Sequence, residues 1–295
     1  MFFKNLYLFR AALVSVDRLE ERLSTYPLQG CCATDVQSIG WLAPRDGGGM
    51  VHTVNQQLLL CLGVEQKLLP TSVVNQFAKD KAKEIAEAEG RRVGRKEMRE
   101  IREQVALALL PRAFVRRRFT WGWIDPVHGW LVIDAASPAR AEEFVEHLRK
   151  SLDGLPVWRL KVKQSPAAAM TGWVASGDAP AGFTLDQDLE LSSAEEAKVR
   201  YVKHTLEGEE VRRHVAGGKT ATKLAMTWND RISFVLTDNL QLKRLAFLDL
   251  LKEENENQAN NEDERFDLDF TLMTGEVARL LDDLVEALGG EQEAA

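Results

Sequence analysis

The residues with the clearest chemical capability in this chain are its cations. Between positions 91 and 118 stand Arg91, Arg92, Arg95, Lys96, Arg99, Arg102, Arg112, Arg116, Arg117 and Arg118, opposed by Glu97, Glu100 and Glu103, so the segment nets +7 in a chain that nets −7. Cations at this density neutralise phosphates and release their counterions, which favours a polyanion without any reading of bases. In the same block Leu109-Leu110-Pro111-Arg112-Ala113-Phe114 sets an aromatic ring just after a helical segment that a proline stops. Such a ring can stack on a base or wedge beside it. Two plainer alternatives stand beside these. Phe114 can be a core residue packing back on Leu110, and Arg116 to Arg118 can merely keep a strand edge soluble.

Further cations lie downstream. Arg200 and Lys203 fall on a predicted strand, Arg212, Arg213, Lys219 and Lys223 surround a helix end and the strand after it, and Lys161 and Lys163 share one strand face. Negative charge gathers elsewhere, since residues 249–293 net −12. The field near a surface is set within a Debye length of about 8 to 10 Å, so an acidic chain can still present a basic wall. The segregation suits a basic inner surface with an acidic exterior.

Catalytic chemistry finds little support. The chain has no Gly-x-x-x-x-Gly-Lys-Ser/Thr, no Gly-x-Ser-x-Gly and no Gly-x-Gly-x-x-Gly after a strand. His52, His128, His147, His204 and His214 are scattered, with no two at metal-ligand spacing. A nuclease would need clustered carboxylates around a divalent ion, for which Asp125, Asp134, Asp267 and Asp269 are the candidates, the last two on one face of a predicted strand. Vicinal Cys31 and Cys32, with Cys61, are too few for a disulfide framework and read as small hydrophobes. No cofactor or metal is expected.

The elements that position these groups follow from periodicity. Phe3 to Ala11 reads as a strand, Ser15 caps a helix over Val16, Leu19, Leu23 and Tyr26, and Leu58 to Gly63 is a short buried strand. After Pro70 one helix runs toward Gly90 and a second from Arg95 to Leu110, a hairpin that can project from a body. Thr120 to Ile124 and Trp130 to Asp134 flank a turn, and Pro138 to Leu152 is a helix. Val157 to Lys163 alternates, Ser165-Pro166 opens a helix, and Lys198 to His204 is a strand. Beyond it come a helix over Glu207 to Ala216 and strands over Thr222 to Trp228 and Arg231 to Thr237. Residues 255–264 read as a solvated loop, Phe266 to Met273 as a strand, and Thr274 as the cap of an apolar-striped terminal helix. The expected class is α+β with several mixed lobes. These comprise a central region over 1–70 and 119–164, a projecting basic finger over 71–118 and a C-terminal region over 165–295. No stretch approaches eighteen apolar residues, so no membrane is expected and the cytoplasm is the default location.

A set of short strings resembles the recombination-associated protein RdgC family of bacteria. They are Phe3-Lys4-Asn5-Leu6, Gly40-Trp41, Lys67-Leu68-Leu69-Pro70, Leu110-Pro111-Arg112-Ala113-Phe114 and Trp123-Ile124-Asp125, followed by Gly154-Leu155-Pro156-Val157, Thr222-Lys223-Leu224-Ala225 and Leu272-Met273-Thr274-Gly275-Glu276. Each is weak alone, but they run in order along nearly the whole chain. The resemblance implies a nucleoid-associated, non-enzymatic DNA-binding protein that closes as a ring-shaped homodimer around double-stranded DNA, binds single strands more weakly and restrains the strand-exchange recombinase. It implies an aromatic at the end of a projecting finger, matched by Phe114, and a basic position in the central hole, matched by Lys203. The remaining DNA-facing candidates are Arg112, Arg116, Arg117, Arg118, Arg200, Arg212, Lys219 and Lys223. The rival readings are a metal-dependent nuclease using Asp267 and Asp269, and an acidic adaptor that binds proteins through its last helix.

Overall fold

The computed structural model describes residues 2–11, 15–248, 259 and 261–292. Its first half comprises β1 (Leu6–Ala11), α1 (Val16–Ser24), β2 (Gln37–Leu42), β3 (Val51–Val54) and β4 (Gln57–Leu68). After these come α2 (Thr71–Glu89), α3 (Arg95–Leu109), β5 (Phe114–Asp125), β6 (Trp130–Asp134), α4 (Pro138–Ser151) and β7 (Val157–Arg159). The second half comprises α5 (Pro166–Ser176), β8 (Phe183–Ser192), β9 (Lys198–Tyr201), α6 (Glu209–Ala216), β10 (Thr220–Trp228), β11 (Ile232–Thr237), β12 (Leu242–Phe247) and α7 (Glu262–Ala287). The architecture is a mixed α+β fold.

All twelve strands among the described residues join one sheet in the order β2-β4-β5-β6-β1-β12-β11-β10-β8-β9, with β3 added to β4 and β7 to β1. Each register is antiparallel, and the halves meet where Leu6 pairs with Leu242. Strand alternation then sorts side chains to two faces. One face carries Leu8, Leu59, Trp123, Leu189, Leu224, Leu236 and Leu242, buried with Met170 of α5, Val211 of α6 and Phe270, Val277 and Leu281 of α7. The other carries Tyr7, Phe9, Leu58, Leu60, Leu62, Leu131 and Ile133, buried under Leu19 of α1 and Phe144 and Leu148 of α4. This second helical layer covers β4, β5, β6 and β1 and does not reach β12 to β9, whose residues on that face enter neither cluster. Contact under α4 is close: a Cβ on Gly122 would lie 2.2 Å from the Phe144 ring, so the helix settles on β5 only because that position is glycine.

Strand β5 runs on past β6 while pairing continuously with β4, from Leu58 with Ile124 to Leu68 with Phe114, and β2 flanks β4 as far as Gln66, so the projection begins as a three-stranded ribbon. At its end the chain passes into α2 and α3. These helices pack on each other through a separate small core of Ala78, Ala82, Ile101 and Val105, with Val74, Ile85, Met98 and Leu109 around it. Gly90 ends α2 in the left-handed conformation, φ 66°, which glycine adopts without a Cβ clash. At 1.5 Å per residue α2 alone is about 28 Å long.

Several expectations need correction. Phe266 to Met273 belongs to α7, not to a strand, and the helix is capped by Asn261, whose side chain accepts from Glu264 N at 2.8 Å. Thr274 lies inside that helix and donates back to the Phe270 carbonyl at 2.9 Å, so it caps nothing. Half of the loop expected over 255–264 falls outside the described residues, and its last three residues are helical. Strand β5 starts at Phe114 rather than near Thr120, because β4 supplies a partner for its full length. Strands β2, β3, β8 and β12 add to those expected.

Candidate nucleic-acid interface

The basic block divides between the helical hairpin and the ribbon. On the hairpin, Arg91 is held by Glu89 and Glu97 at 2.7 Å each, and Arg99 by Glu103 at 3.1 Å. Arg92, Arg95, Lys96 and Arg102 have no such partner among the described residues and stand at solvent-accessible positions. Arg112, in the short 3-10 turn Leu110–Arg112 that links α3 to β5, is likewise exposed and unpaired.

On the ribbon, alternation separates the three consecutive arginines. Arg117 lies across from Glu65, Nε to Oε2 at 2.7 Å, and Glu65 also accepts from Cys31 N at 2.7 Å. The Cys31 N–H first, and Arg117 second, hold the Glu65 carboxyl below its ordinary value. Arg118 points to the α1/α4 face and makes a two-pronged contact with Glu143 of α4. Arg116 faces the same way one step further out and is the one arginine of the three without an ion pair among the described residues. The run therefore holds two fastened cations and one open one.

Phe114 is 85% exposed, which removes the reading in which it packs back on Leu110. It does not sit at the tip of the finger either. The tip is the Gly90 to Gly94 turn, whereas Phe114 opens β5 opposite Leu68 at the junction of hairpin and ribbon. Leu68 across from it is also exposed, and Val115 and Phe119 are exposed on the opposite strand face.

The downstream candidates come together only in part. Arg200 on β9, Glu190 on β8 and Lys223 on β10 stand in one row across the sheet face that carries no helix among the described residues. Lys223 Nζ lies 2.8 Å from Glu190 Oε2. Lys203 is not on the strand: β9 ends at Tyr201, and Lys203 occupies the turn beyond at φ 51°, its N–H donating to Asp188 Oδ1 at 2.9 Å. Arg212 belongs to α6, which covers the opposite face, so it does not converge with Lys223. Lys219 lies in the connection from α6 to β10, its N–H donating to the His214 carbonyl at 3.2 Å. Lys243 and Arg244 of β12, which were not among the expected DNA-facing residues, join Arg200 and Lys223 around one small cavity. Their signal was the β12 alternation, visible once Leu242 pairs with Leu6.

The carboxylates proposed for a metal ion are dispersed. Asp125 accepts from Val127 N and His128 N and meets His128 Nδ1 at 2.6 Å, closing the β5–β6 turn. Asp134 accepts from Asn5 N at 2.8 Å, and burial raises its pKa above the ordinary value. Asp267 meets His52 Nε2 at 2.8 Å. On a helix, Asp267 and Asp269 project about 200° apart, so the shared strand face disappears. No group of three or more His, Cys, Asp or Glu among the described residues could hold a metal ion. The apolar stripe of α7 is buried in the larger core cluster, so a partner-binding face on that helix has no exposed stripe to use. No helix among the described residues is long and apolar enough to cross a membrane.

Comparison with known proteins gives one consistent result. Residues 1–291 match the family model described as "RdgC: Putative exonuclease, RdgC". A relative from Herminiimonas arsenicoxydans is 54% identical over 297 residues, covering 99% of both chains. One from Cupriavidus pinatubonensis is 54% identical over the whole of both. One from Bordetella pertussis is 52% identical over 99% of both. All three relatives bear the name "Recombination-associated protein RdgC".

Proposed function

The chain belongs to the RdgC family, and from that premise we propose that it is a recombination-associated protein that binds duplex DNA through its phosphates, encloses it as a homodimer and limits access by the strand-exchange recombinase. The observation that carries this reading is the set of exposed cations without ion pairs among the described residues, Arg92, Arg95, Lys96, Arg102, Arg112 and Arg116, grouped on the projecting hairpin and ribbon in a chain that is acidic overall. They are spread over several elements, with no recognition helix or zinc finger to address base edges, which favours backbone contact with little sequence preference. Single strands bind more weakly on this reading, because Trp123 and Trp130 are buried and offer no stacking platform.

The proposed finger spans 71–118 and carries Arg112, Phe114 and Arg116 at its root, while Arg200, Lys203 and Lys223 line the body, with Lys219 at its margin. Arg117, Arg118 and Arg212 take supporting parts, the first two as fasteners of the ribbon. The exposed Leu68 and Phe114, opposite each other at the hairpin junction, give a second copy an apolar surface to cover. Two copies related by a two-fold axis make self-complementary contacts and can close around a rod that one cannot enclose. The expected place of action is the nucleoid in the cytoplasm. We assign no nuclease role, since the relatives are named for recombination and the proposed carboxylates serve structural contacts.

Salt titration of duplex binding tests the phosphate reading. If roughly six phosphates are neutralised, log affinity falls with log salt at a slope of about −5, whatever the base sequence. A salt-independent affinity, or strong preference for one duplex sequence, overturns it. Enclosure is tested separately by washing protein from closed circles and open linear DNA in high salt. Retention on circles alone supports a ring, and equal loss from both, or a monomer in sedimentation, overturns it.

A further inference from the structure

The sheet face that no helix among the described residues covers beyond α4 holds a cavity of about 260 Å³ lined by Arg200, Lys223, Lys243 and Arg244 together with Asp188 and Glu190. We propose that this cavity binds one phosphate of the duplex backbone, and that Asp188 and Glu190 are built-in competitors that hold two of its cations until the phosphate displaces them. This rests on the DNA-binding reading above and adds a site and a control to it.

Size narrows the ligand. Sites for drug-sized molecules run from about 300 Å³ upward, so this cavity suits a single phosphate with a few waters better than a free nucleotide. Charge sets the sign. Four cations face two acids, leaving a net of +2 at the lining. Arg200 and Lys243 have no ion pair among the described residues. The other two cations are engaged: Lys223 Nζ with Glu190 Oε2 at 2.8 Å, and Arg244 Nη1 with Asp188 Oδ2 at 3.7 Å.

The acids are fixed from elsewhere, and that makes them competitors rather than mobile counterions. Glu190 also accepts from Thr222 Oγ1 at 3.1 Å, and Asp188 accepts the Lys203 N–H at 2.9 Å. They therefore stay at the cavity when their cations turn away. The Lys223 hydrogen bond, above other causes, keeps the Glu190 carboxyl below its ordinary value, so it is charged at neutral pH. Each cation released to a phosphate leaves a carboxylate that must recruit a solution cation, which cancels part of the counterion gain.

The competition has an unusual consequence, because removing an acid should tighten binding. In the full-length protein on mixed-sequence duplex, Glu190→Gln and Asp188→Asn should each raise affinity, by up to roughly fivefold near 0.15 M salt, and steepen the salt slope by up to about 1. Lys243→Ala should weaken binding by a similar factor and flatten the slope by up to about 1. Thermal melts accompany each variant. If one acid variant fails to fold, the remaining two substitutions still decide the matter through their opposite signs. Wild-type protein that binds with a steep salt slope, beside variants that match it or acid variants that bind more weakly, overturns this inference alone. Failure of the wild type to bind duplex overturns the functional reading beneath it.

Discussion

Arg118 and Glu143 meet through two hydrogen bonds, Nη1 to Oε2 at 2.7 Å and Nη2 to Oε1 at 2.9 Å, and thereby fasten the ribbon strand β5 to helix α4. Two residues away on the same strand face, Arg116 has no such partner among the described residues. Neighbouring arginines thus serve different ends, one holding the base of the projection and the other presenting charge.

That difference can be measured. Arg118→Ala should destabilise the fold, with a coupling to Glu143→Gln of about 1 to 2 kcal/mol in a double-mutant cycle, since a two-pronged, half-buried pair exceeds an exposed one. Arg116→Ala should leave the melting temperature unchanged and reduce the magnitude of the salt slope for duplex by up to about 1. Equal effects of both substitutions on stability and slope would refute the division.

Phe114→Ala should leave the melting temperature within about a degree of wild type, because the ring is 85% exposed and gives up little buried area. Loss of a buried aromatic such as Phe144 costs roughly 3 to 5 kcal/mol by comparison. Retention on DNA should weaken while the salt slope stays constant, no charge having been removed. A large fall in melting temperature, or unaltered retention, removes Phe114 from the interface.

Much of this arrangement was legible in the amino acids, and the failures have physical causes. The α2–α3 hairpin follows from Pro70, Gly90, Gly94 and Pro111, whose backbone restrictions are local. The terminal helix was cut short because two periods coexist in it: Phe266, Leu268, Phe270 and Leu272 alternate, while Phe270, Met273, Val277 and Leu281 repeat at helical spacing. Burial of the second set under the sheet decides the matter, and no local rule reveals that contact. The length of β5 was hidden for a related reason. Three consecutive arginines look unlike a strand until Glu65 and Glu143 appear on opposite faces to receive two of them. Lys243 and Arg244 were not expected at a DNA-facing surface, since their strand acquires meaning only through its partner β11 and the open face beyond it.

Glu65 makes stability of the ribbon sensitive to acid. Its folded-state pKa is depressed by the Cys31 N–H and then by Arg117, so the contribution to stability is complete above the ordinary carboxylate value, about 4.3. It is lost as pH falls through the depressed value. Glu65→Gln should therefore lower stability at pH 7 and have a diminishing effect as the pH is brought below about 4. Melts of both proteins across that range provide the check, and a difference that grows toward acid contradicts the assignment.

Lys203 joins a strained backbone to a charge, and two substitutions separate them. Its φ of 51° belongs to the left-handed region, which costs a residue with a Cβ roughly 1 kcal/mol relative to glycine. Lys203→Gly should accordingly equal or exceed wild type in melting temperature, whereas Lys203→Ala should fall no lower than wild type by more than a degree or so. Both delete the ammonium group, so both should flatten the salt slope for duplex by up to about 1 if it neutralises a phosphate. The backbone N–H that donates to Asp188 survives in each, which keeps the turn and the cavity acid in place. A full wild-type slope in both variants would show that Lys203 lies outside the DNA path. A flattened slope in glycine alone would trace the effect to the turn geometry instead of the charge.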